Sequence, residues 1–367
     1  MSVEPRPEVA GIEPCYHGGI DYAELKALGF APEKVVDFSV CTNPFMPPPG
    51  VKKALQKIAI GQYPDSQATE LKERLSKKLG VEEDNILVGS GVIELIRLLA
   101  LAYLRKADLV LVLEPTFGEY ELVCEMLGAR VAKQWAKEKE AFRPQVEKAV
   151  DFIKERHPRA VFICNPNNPT GVYLWREDIE TILDSLEGGL LILDEAYISF
   201  VDGAWSSLKL ISSDNLVILR SMTKDFGLAG LRIGYAISSR EIIANLRKVC
   251  PPWNVSVVAQ KIGTFVLERE DYLAQTKVKV KRSKEFLIKE LSRLGLPPLP
   301  SETHFFLLKV GKASKFRHDL LKEGILVRDC TSFGLPEYVR ISPRTINECR
   351  RLVSAVEKVL HQSGLEA

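Results

Sequence analysis

Three polar residues that could do chemistry follow short apolar runs in this chain: Lys224, Asp194 and Asn168. The runs are rich in leucine, isoleucine and valine and do not alternate with polar residues: 109–113, 161–163, 190–193 and 216–219. A lysine placed soon after such a run is a candidate for covalent chemistry with a carbonyl group. The spacing therefore predicts a reactive amine and polar side chains gathered at neighbouring strand ends.

Short apolar runs without alternation are typical of parallel strands buried on both faces. Open α/β sheets hold their ligands at the carboxyl ends of such strands. Strand-like and helix-like segments alternate up to about residue 250, which indicates a doubly wound, mostly parallel sheet of the α/β class. The four runs should therefore open onto one crevice.

The pattern changes after Pro251 and Pro252. A long amphipathic segment, 272–294, is followed by short strands and helices, which predicts a smaller α+β domain. A capping box of Thr345 and Glu348 marks the start of the last helix. We expect a large domain over residues 45–255, a small domain over 256–367, and an N-terminal segment, 1–44, that packs with the small domain.

The composition excludes several functions. The chain has 367 residues, 50 basic against 48 acidic residues and 46% hydrophobic content. This near-neutral balance favours neither a nucleic acid nor a membrane surface as partner, so the expected partner is a small molecule. Seven scattered cysteines without CxxC spacing argue against a metal site or a disulfide framework. With a charged, proline-rich N-terminus and no apolar run of about 18 residues, we expect a cytosolic protein.

Three motifs carry a resemblance to known enzymes: NPNNPTG at 165–171, DEAY at 194–197 and RSMTKDFGLAGLRIGY at 220–235. Their order resembles the pyridoxal 5′-phosphate (PLP) enzymes of the aspartate aminotransferase fold. The resemblance implies that Lys224 bonds covalently to PLP and that Asp194 pairs with its pyridine nitrogen. It also implies that Tyr197 and Asn168 contact the ring oxygen, and that Phe117 stacks on the ring.

The same resemblance implies a cup for the PLP phosphate. Its expected members are backbone amides at a helix start and polar side chains near Lys224: Gly91, Val92, Ile93, Ser221, Thr223 and Arg232. Relatives usually carry polar residues where this chain has Val92 and Ile93, so only their amides can contribute. Tyr63 matches a tyrosine that reaches the site of the other subunit, which implies a homodimer.

Within this fold the chain resembles the histidinol-phosphate aminotransferase group, and inside it the cobalamin-pathway threonine-phosphate decarboxylases. HGG at 17–19, VDFSVCTNP at 36–44 and PPWNVS at 251–256 favour the decarboxylases. The resemblance implies that four residues contact a phosphorylated amino substrate: His17, Asn43, Arg328 and Arg340. Cys41 departs from the decarboxylase pattern, which has asparagine there.

Two reactions remain open at this stage. The first expectation is decarboxylation of L-threonine O-3-phosphate to aminopropanol phosphate. The alternative is a histidinol-phosphate-type aminotransferase that uses glutamate and 2-oxoglutarate. A remote alternative is a non-catalytic binding protein that keeps the PLP-enzyme fold. The orientation of the substrate against the cofactor decides between the two reactions, and one sequence does not contain it.

Overall fold

A seven-stranded sheet forms the centre of the computed structural model, which describes residues 3–362. Its strand order is β2-β8-β7-β6-β5-β3-β4, and a three-stranded sheet, β11-β12-β9, and a short β1-β10 pair accompany it. The strands are β1 Val36–Asp37, β2 Ile86–Gly89, β3 Leu109–Glu114, β4 Arg130–Trp135, β5 Ala160–Cys164, β6 Leu190–Asp194, β7 Leu216–Ser221, β8 Gly234–Ser238, β9 Phe306–Lys309, β10 Ile325–Leu326, β11 Arg328–Asp329 and β12 Tyr338–Ile341.

Helices cover both faces of the large sheet and one face of the small sheet. They are α1 Pro7–Ala10, α2 Tyr22–Ala27, α3 Val51–Leu55, α4 Thr69–Leu79, α5 Val92–Tyr103, α6 Glu119–Met126, α7 Val146–Arg156, α8 Arg176–Ser185, α9 Met222–Asp225, α10 Arg240–Val249, α11 Val257–Leu267, α12 Glu270–Arg293, α13 Ala313–Lys322 and α14 Ile346–Gln362. Within residues 3–362 no helix is both long and apolar enough to cross a membrane.

The four apolar runs all form strands of the large sheet, as predicted, and β3 to β7 run parallel. Only β8 runs against its neighbours β7 and β2. Successive side chains of one strand enter opposite cores: Leu111 packs under α7 and α8, and Val112 packs under α5 and α6. This burial on both faces confirms the α/β, doubly wound class, with a smaller α+β domain at the C-terminal end.

Most helix boundaries also agree with the sequence pattern. Gly80 ends α4 in the left-handed conformation, and Thr345 and Glu348 exchange the hydrogen bonds of a capping box at α14. Residues 51–60 carry apolar side chains at helical spacing, which predicts a helix over this range, but α3 ends at Leu55 and Ile60 is 79% exposed. The apolar pattern extends to Ile60, but the side chain of this residue lies at the protein surface and not in the core.

Register in the small sheet places two cations side by side. Arg328 of β11 pairs with Arg340 of β12 in an antiparallel ladder. Directly opposed residues of such a ladder point to the same face, with Cβ atoms about 5 Å apart. The pairing of β1 with β10 brings the N-terminal segment alongside, and the Ser39 carbonyl accepts a hydrogen bond from Arg340 Nη2 at 2.6 Å.

Candidate active site

Two adjoining cavities lie where the parallel strands end. The inner cavity, about 90 Å³, has Asp194, Ser221, Thr223 and Cys164 in its wall. The outer cavity, about 270 Å³, adds residues of the N-terminal segment and the small sheet. Six residues line both cavities: Ile93, Phe117, Asn168, Tyr197, Lys224 and Arg232. The predicted crevice is therefore present, and Lys224 stands between its two parts.

Lys224 lies in the short helix α9, directly after β7. Its Nζ atom is 5.6 Å from the centre of the Tyr197 ring. Burial lowers the pKa of the Lys224 amine, and Arg340 and Arg232 lower it further, while Cys41 and Asp194 act in the opposite direction. A lower pKa leaves more of the amine unprotonated, which is the form that attacks a carbonyl carbon.

Asp194, the last residue of β6, is 4% exposed. Tyr120 donates its hydroxyl hydrogen to Asp194 Oδ2 at 2.7 Å, and the Ala196 amide donates to Oδ1 at 2.9 Å. Burial raises the pKa of Asp194 to about 6, although both hydrogen bonds lower it. The carboxyl group is therefore mostly ionised at pH 7 and fixed in orientation, as a partner for a cationic ring nitrogen must be.

Phe117 forms the aromatic wall of both cavities. Its ring meets the Tyr120 ring edge to face with centroids 5.6 Å apart, and Tyr120 stacks on Phe162 at 5.1 Å. Tyr120 therefore supports the wall with its ring and Asp194 with its hydroxyl group. Tyr120 was not predicted from the sequence as a site residue, although it lies only three residues after Phe117, in the segment EPTFGEY at 114–120.

An anion cup lies at the start of α5. Helix starts leave backbone amides unpaired, and those of Val92 and Ile93 open this helix. Gly91 differs from the expectation, since its amide donates to the Gly89 carbonyl at 2.8 Å. A side chain at Gly91 would bring its Cβ within 2.8 Å of Arg232 Nη2, and φ is +80°. Glycine thus lets the guanidinium approach the helix start.

Two hydroxyl groups complete the cup from the other side. Ser221 Oγ and Thr223 Oγ1 lie 2.7 Å apart, both buried, at the junction of β7 and α9. With the two amides and Arg232 they form the kind of donor set that binds a phosphate dianion. Only the backbone of Val92 and Ile93 can take part, as the sequence indicates.

Arg340 and Arg328 both line the outer cavity. Both are buried, at 5% and 3% exposure. Arg340 Nη1 donates to Asn168 Oδ1, and Arg328 Nη2 donates to the Tyr16 carbonyl at 2.7 Å. Arg340 Nε and Arg328 Nη1 have no hydrogen-bond partner among residues 3–362. Buried guanidinium donors without partners indicate a site for an anionic ligand.

The other expected substrate residues differ in their positions. His17 lines the outer cavity, and its Nε2 atom lies 2.8 Å from Glu119 Oε1. Asn43 is buried, but its amide nitrogen donates to the Asp225 carbonyl and to Thr276 Oγ1, and neither cavity includes it. The Asn43 backbone amide donates to the Lys224 carbonyl at 2.8 Å, so the residue lies beside the site while its side chain reaches neither cavity. Cys41, in contrast, lies in the outer cavity wall.

Tyr63 does not lie near Lys224 on this chain. It is 78% exposed, stacks on Trp253 with centroids 4.4 Å apart, and lines a separate surface cavity of about 510 Å³. An exposed aromatic pair of this kind is available to a second copy of the chain, and the dimer stays a prediction.

PLP fits these residues on four counts. Its aldehyde requires an amine, its ring nitrogen a carboxylate, its ring face an aromatic wall and its phosphate a cup of donors. Lys224, Asp194 and Phe117 supply the first three in one cavity. The amides of α5, the two hydroxyl groups and Arg232 supply the fourth.

Comparison with known proteins agrees with this fit. The profile of the class I and II aminotransferases matches residues 33–356. A histidinol-phosphate aminotransferase of Thermoanaerobacter pseudethanolicus is 36% identical over 87% of this chain and 91% of its own length.

Two solved structures show the same fold. Histidinol-phosphate aminotransferase of Sinorhizobium meliloti in complex with pyridoxal-5′-phosphate superposes with a TM-score of 0.87 at 23% identity, over 99% of each chain. L-threonine-O-3-phosphate decarboxylase of Porphyromonas gingivalis has a TM-score of 0.78 at 28% identity, over 89% of this chain and 100% of its own. The chain therefore belongs to the class I and II aminotransferase family and is a PLP-dependent enzyme, an aminotransferase or a closely related decarboxylase.

Proposed function

We propose that the chain is a histidinol-phosphate-type aminotransferase, which moves an amino group between a phosphorylated amine and 2-oxoglutarate. This reverses the order of the two reactions expected from local motifs. Its support is similarity over most of the chain to proteins named histidinol-phosphate aminotransferase, at 33% identity in Moorella thermoacetica and 36% in Thermoanaerobacter pseudethanolicus. The local HGG and VDFS matches cover far fewer residues.

The single observation that best supports a phosphorylated substrate is a pair of buried guanidinium nitrogens without hydrogen-bond partners in the described chain. Arg328 Nη1 and Arg340 Nε lack partners within the described chain. Leaving a buried donor unpaired costs about 1–3 kcal/mol, so a ligand that pairs both gains about that amount at each of the two donors. A phosphate or carboxylate supplies the required acceptors in a geometry that a guanidinium matches.

The remaining residues order the substrate and move its proton. When bound, PLP acts as an electron sink for charge left at the substrate α-carbon. Lys224 Nζ, with its lowered pKa, would take the proton from the substrate α-carbon and deliver it to the cofactor. Asp194, whose carboxylate is fixed by two hydrogen bonds, would keep the cofactor nitrogen protonated. Asn168, whose Oδ1 atom accepts from Arg340, would have its amide nitrogen free to donate to the cofactor ring.

The second candidate, decarboxylation of L-threonine O-3-phosphate, has one specific structural observation in its favour. His17 and Gly18 of the HGG segment lie in the wall of the outer cavity, next to Arg328. A histidine there would add a donor to the substrate phosphate. The Porphyromonas gingivalis decarboxylase also shares the fold at 28% identity. Against it, Cys41 offers the cavity a thiol in place of an amide.

One pair of assays separates these candidates. With L-histidinol phosphate, we expect amino transfer that strictly requires 2-oxoglutarate and forms glutamate. With L-threonine O-3-phosphate, we expect no release of carbon dioxide. Carbon dioxide released without any 2-oxo acid would overturn the proposal and establish the decarboxylase. Absence of both reactions would overturn both candidates.

We call Arg328 and Arg340 the anion wall, and replacement of Arg328 with methionine tests its contribution to substrate binding. Loss of a hydrogen bond to a charged group costs about 1.5–3 kcal/mol, so KM for the phosphorylated substrate should rise about 10- to 100-fold. The control is Arg130→Met, which removes an exposed arginine from the edge strand β4. Equal effects of the two substitutions would show that net charge, and not the wall, determines binding.

We also propose that the enzyme acts as a homodimer in which Tyr63 of each subunit reaches the site of the other. Its 78% exposure and its distance from the cavities of its own chain support this arrangement. Sedimentation equilibrium measures whether the chain is a dimer in solution, and a fully active monomer would exclude this arrangement.

A further inference from the structure

A cluster of three potential metal ligands lies at the rim of the outer cavity. We call Cys15, His17 and Glu119 the rim cluster; one ligand atom from each lies within 4.8 Å of the other two. His17 and Glu119 are 102 residues apart in sequence and only 2.8 Å apart at Nε2 and Oε1. Two segments, the N-terminal segment and the start of α6, therefore converge on one point.

The packing at this point is close. A Cβ atom added at Gly118 would meet Cys15 Sγ at 2.6 Å, so the thiol lies against the backbone that precedes α6. The Glu119 carboxylate beside it is buried, at 5% exposure. Its nearest arginine, Arg97, is 3.9 Å away and half exposed, so solvent weakens that ion pair. Apart from the 2.8 Å contact with His17 Nε2, the carboxylate therefore has little compensation for its negative charge.

Thiolate, imidazole and carboxylate are the three ligand types that zinc takes in proteins. Zinc bonds of about 2.0–2.3 Å in tetrahedral geometry put ligand atoms about 3.3–3.7 Å apart. The rim cluster spans 2.8 to 4.8 Å, so shifts of about 1 Å bring it to that geometry. A thiolate and a carboxylate also balance the charge of a divalent cation.

We propose that the rim cluster binds one zinc-class divalent cation. Three protein ligands leave a fourth position open, and Cys15 and His17 both line the outer cavity, so this position faces the cavity. The cation joins residues 15–17 to α6 and fixes the rim of the site. This inference goes beyond the proposed function, and binding of the metal can be measured without any substrate.

Cobalt(II) is a suitable probe because its visible d–d absorption reports the geometry of a protein site that zinc also occupies. Tag-free holoenzyme without substrate should bind one cobalt per chain with this absorption, and zinc should abolish it. Cys15→Ser and Glu119→Gln should each weaken cobalt binding at least about tenfold, the lower limit found even for residues that only support a ligand.

The matched control is Cys250→Ser, which removes a partly buried thiol elsewhere in the chain and should bind cobalt like the parent. Saturable binding that is weaker than a Kd of about 1 mM would overturn the site. Unchanged binding in either ligand variant would also overturn it. Because no substrate is present, a negative result leaves the proposed reaction untouched, and failure of the transamination assay leaves the metal site untouched.

Discussion

Replacing Tyr120 with phenylalanine removes one hydroxyl group and tests how the ionised form of Asp194 is maintained. The hydroxyl group donates to Asp194 Oδ2 at 2.7 Å and lowers the pKa of that carboxyl group against the effect of burial. A hydrogen bond to a charged group contributes about 1.5–3 kcal/mol, which corresponds to about 1–2 pKa units. The pKa of Asp194, about 6 in the parent, should therefore rise to about 7–8.

Whether the substitution weakens or strengthens PLP binding depends on which protonation state of Asp194 binds the cofactor. PLP with a protonated ring nitrogen pairs with the ionised carboxylate, so any protonated Asp194 must first lose its proton. At pH 7 the ionised fraction falls from about nine tenths to between about one half and one tenth. At pH 9 it is close to complete in both proteins. We expect PLP to bind the variant about 2- to 10-fold more weakly at pH 7, with almost no difference at pH 9.

The assay is titration of the apoenzyme with PLP at both pH values, followed by absorbance, with the ratio of variant to parent Kd as the result. Taking the ratio cancels the titration of Lys224, which both proteins share. Tyr103→Phe is the control, because its hydroxyl group accepts a hydrogen bond from Asn245 at 3.3 Å away from the site. A ratio that is the same at pH 7 and pH 9 would refute the reasoning.

Three further predictions concern named residues of the site. Borohydride reduction should leave a pyridoxyl group on Lys224, found by peptide mass spectrometry; a colourless protein that ignores added PLP would contradict this. Asp194→Asn should fold, as judged by circular dichroism, and lose several orders of magnitude in kcat. Retention of more than about a tenth of the activity, under about 1.4 kcal/mol of barrier, would reassign the residue. Mixed dimers of Lys224→Ala and Tyr63→Phe chains should exceed both parent homodimers in activity, because one of their two sites is then intact. Mixed dimers that are less active than the Tyr63→Phe homodimer would place Tyr63 outside the partner's site.

The strands and the reactive residues could be predicted from the sequence because one physical pattern marks both. A strand buried on both faces must be apolar throughout, so polar residues such as Asp194 and Lys224 can follow only at its end. The edge strand β4 lacks this pattern, since its side chains are partly or fully exposed, and the sequence analysis did not identify it.

The contacts that complete the site could not be predicted in this way. Tyr120 and Asp194 are 74 residues apart, and a tyrosine at the start of a helix is more often only a core residue. The number of backbone amides that are free to bind the phosphate depends on one turn, in which the Gly91 amide donates to the Gly89 carbonyl. Asn43 looked like a substrate ligand, but two hydrogen bonds inside the protein take its amide group.

Arg328 Nη1 and Arg340 Nε, which have no hydrogen-bond partner among residues 3–362, affect which metabolites the proposed site prefers. An amine that lacks the second anion enters a site where two buried donors stay unsatisfied, at about 1–3 kcal/mol each. Sites built to hydrogen-bond a substrate group reject analogues without that group far more strongly than apolar pockets reject a missing methylene. Under the proposed function we therefore expect ordinary amino acids, which lack the second anion, to bind more weakly than phosphorylated substrates.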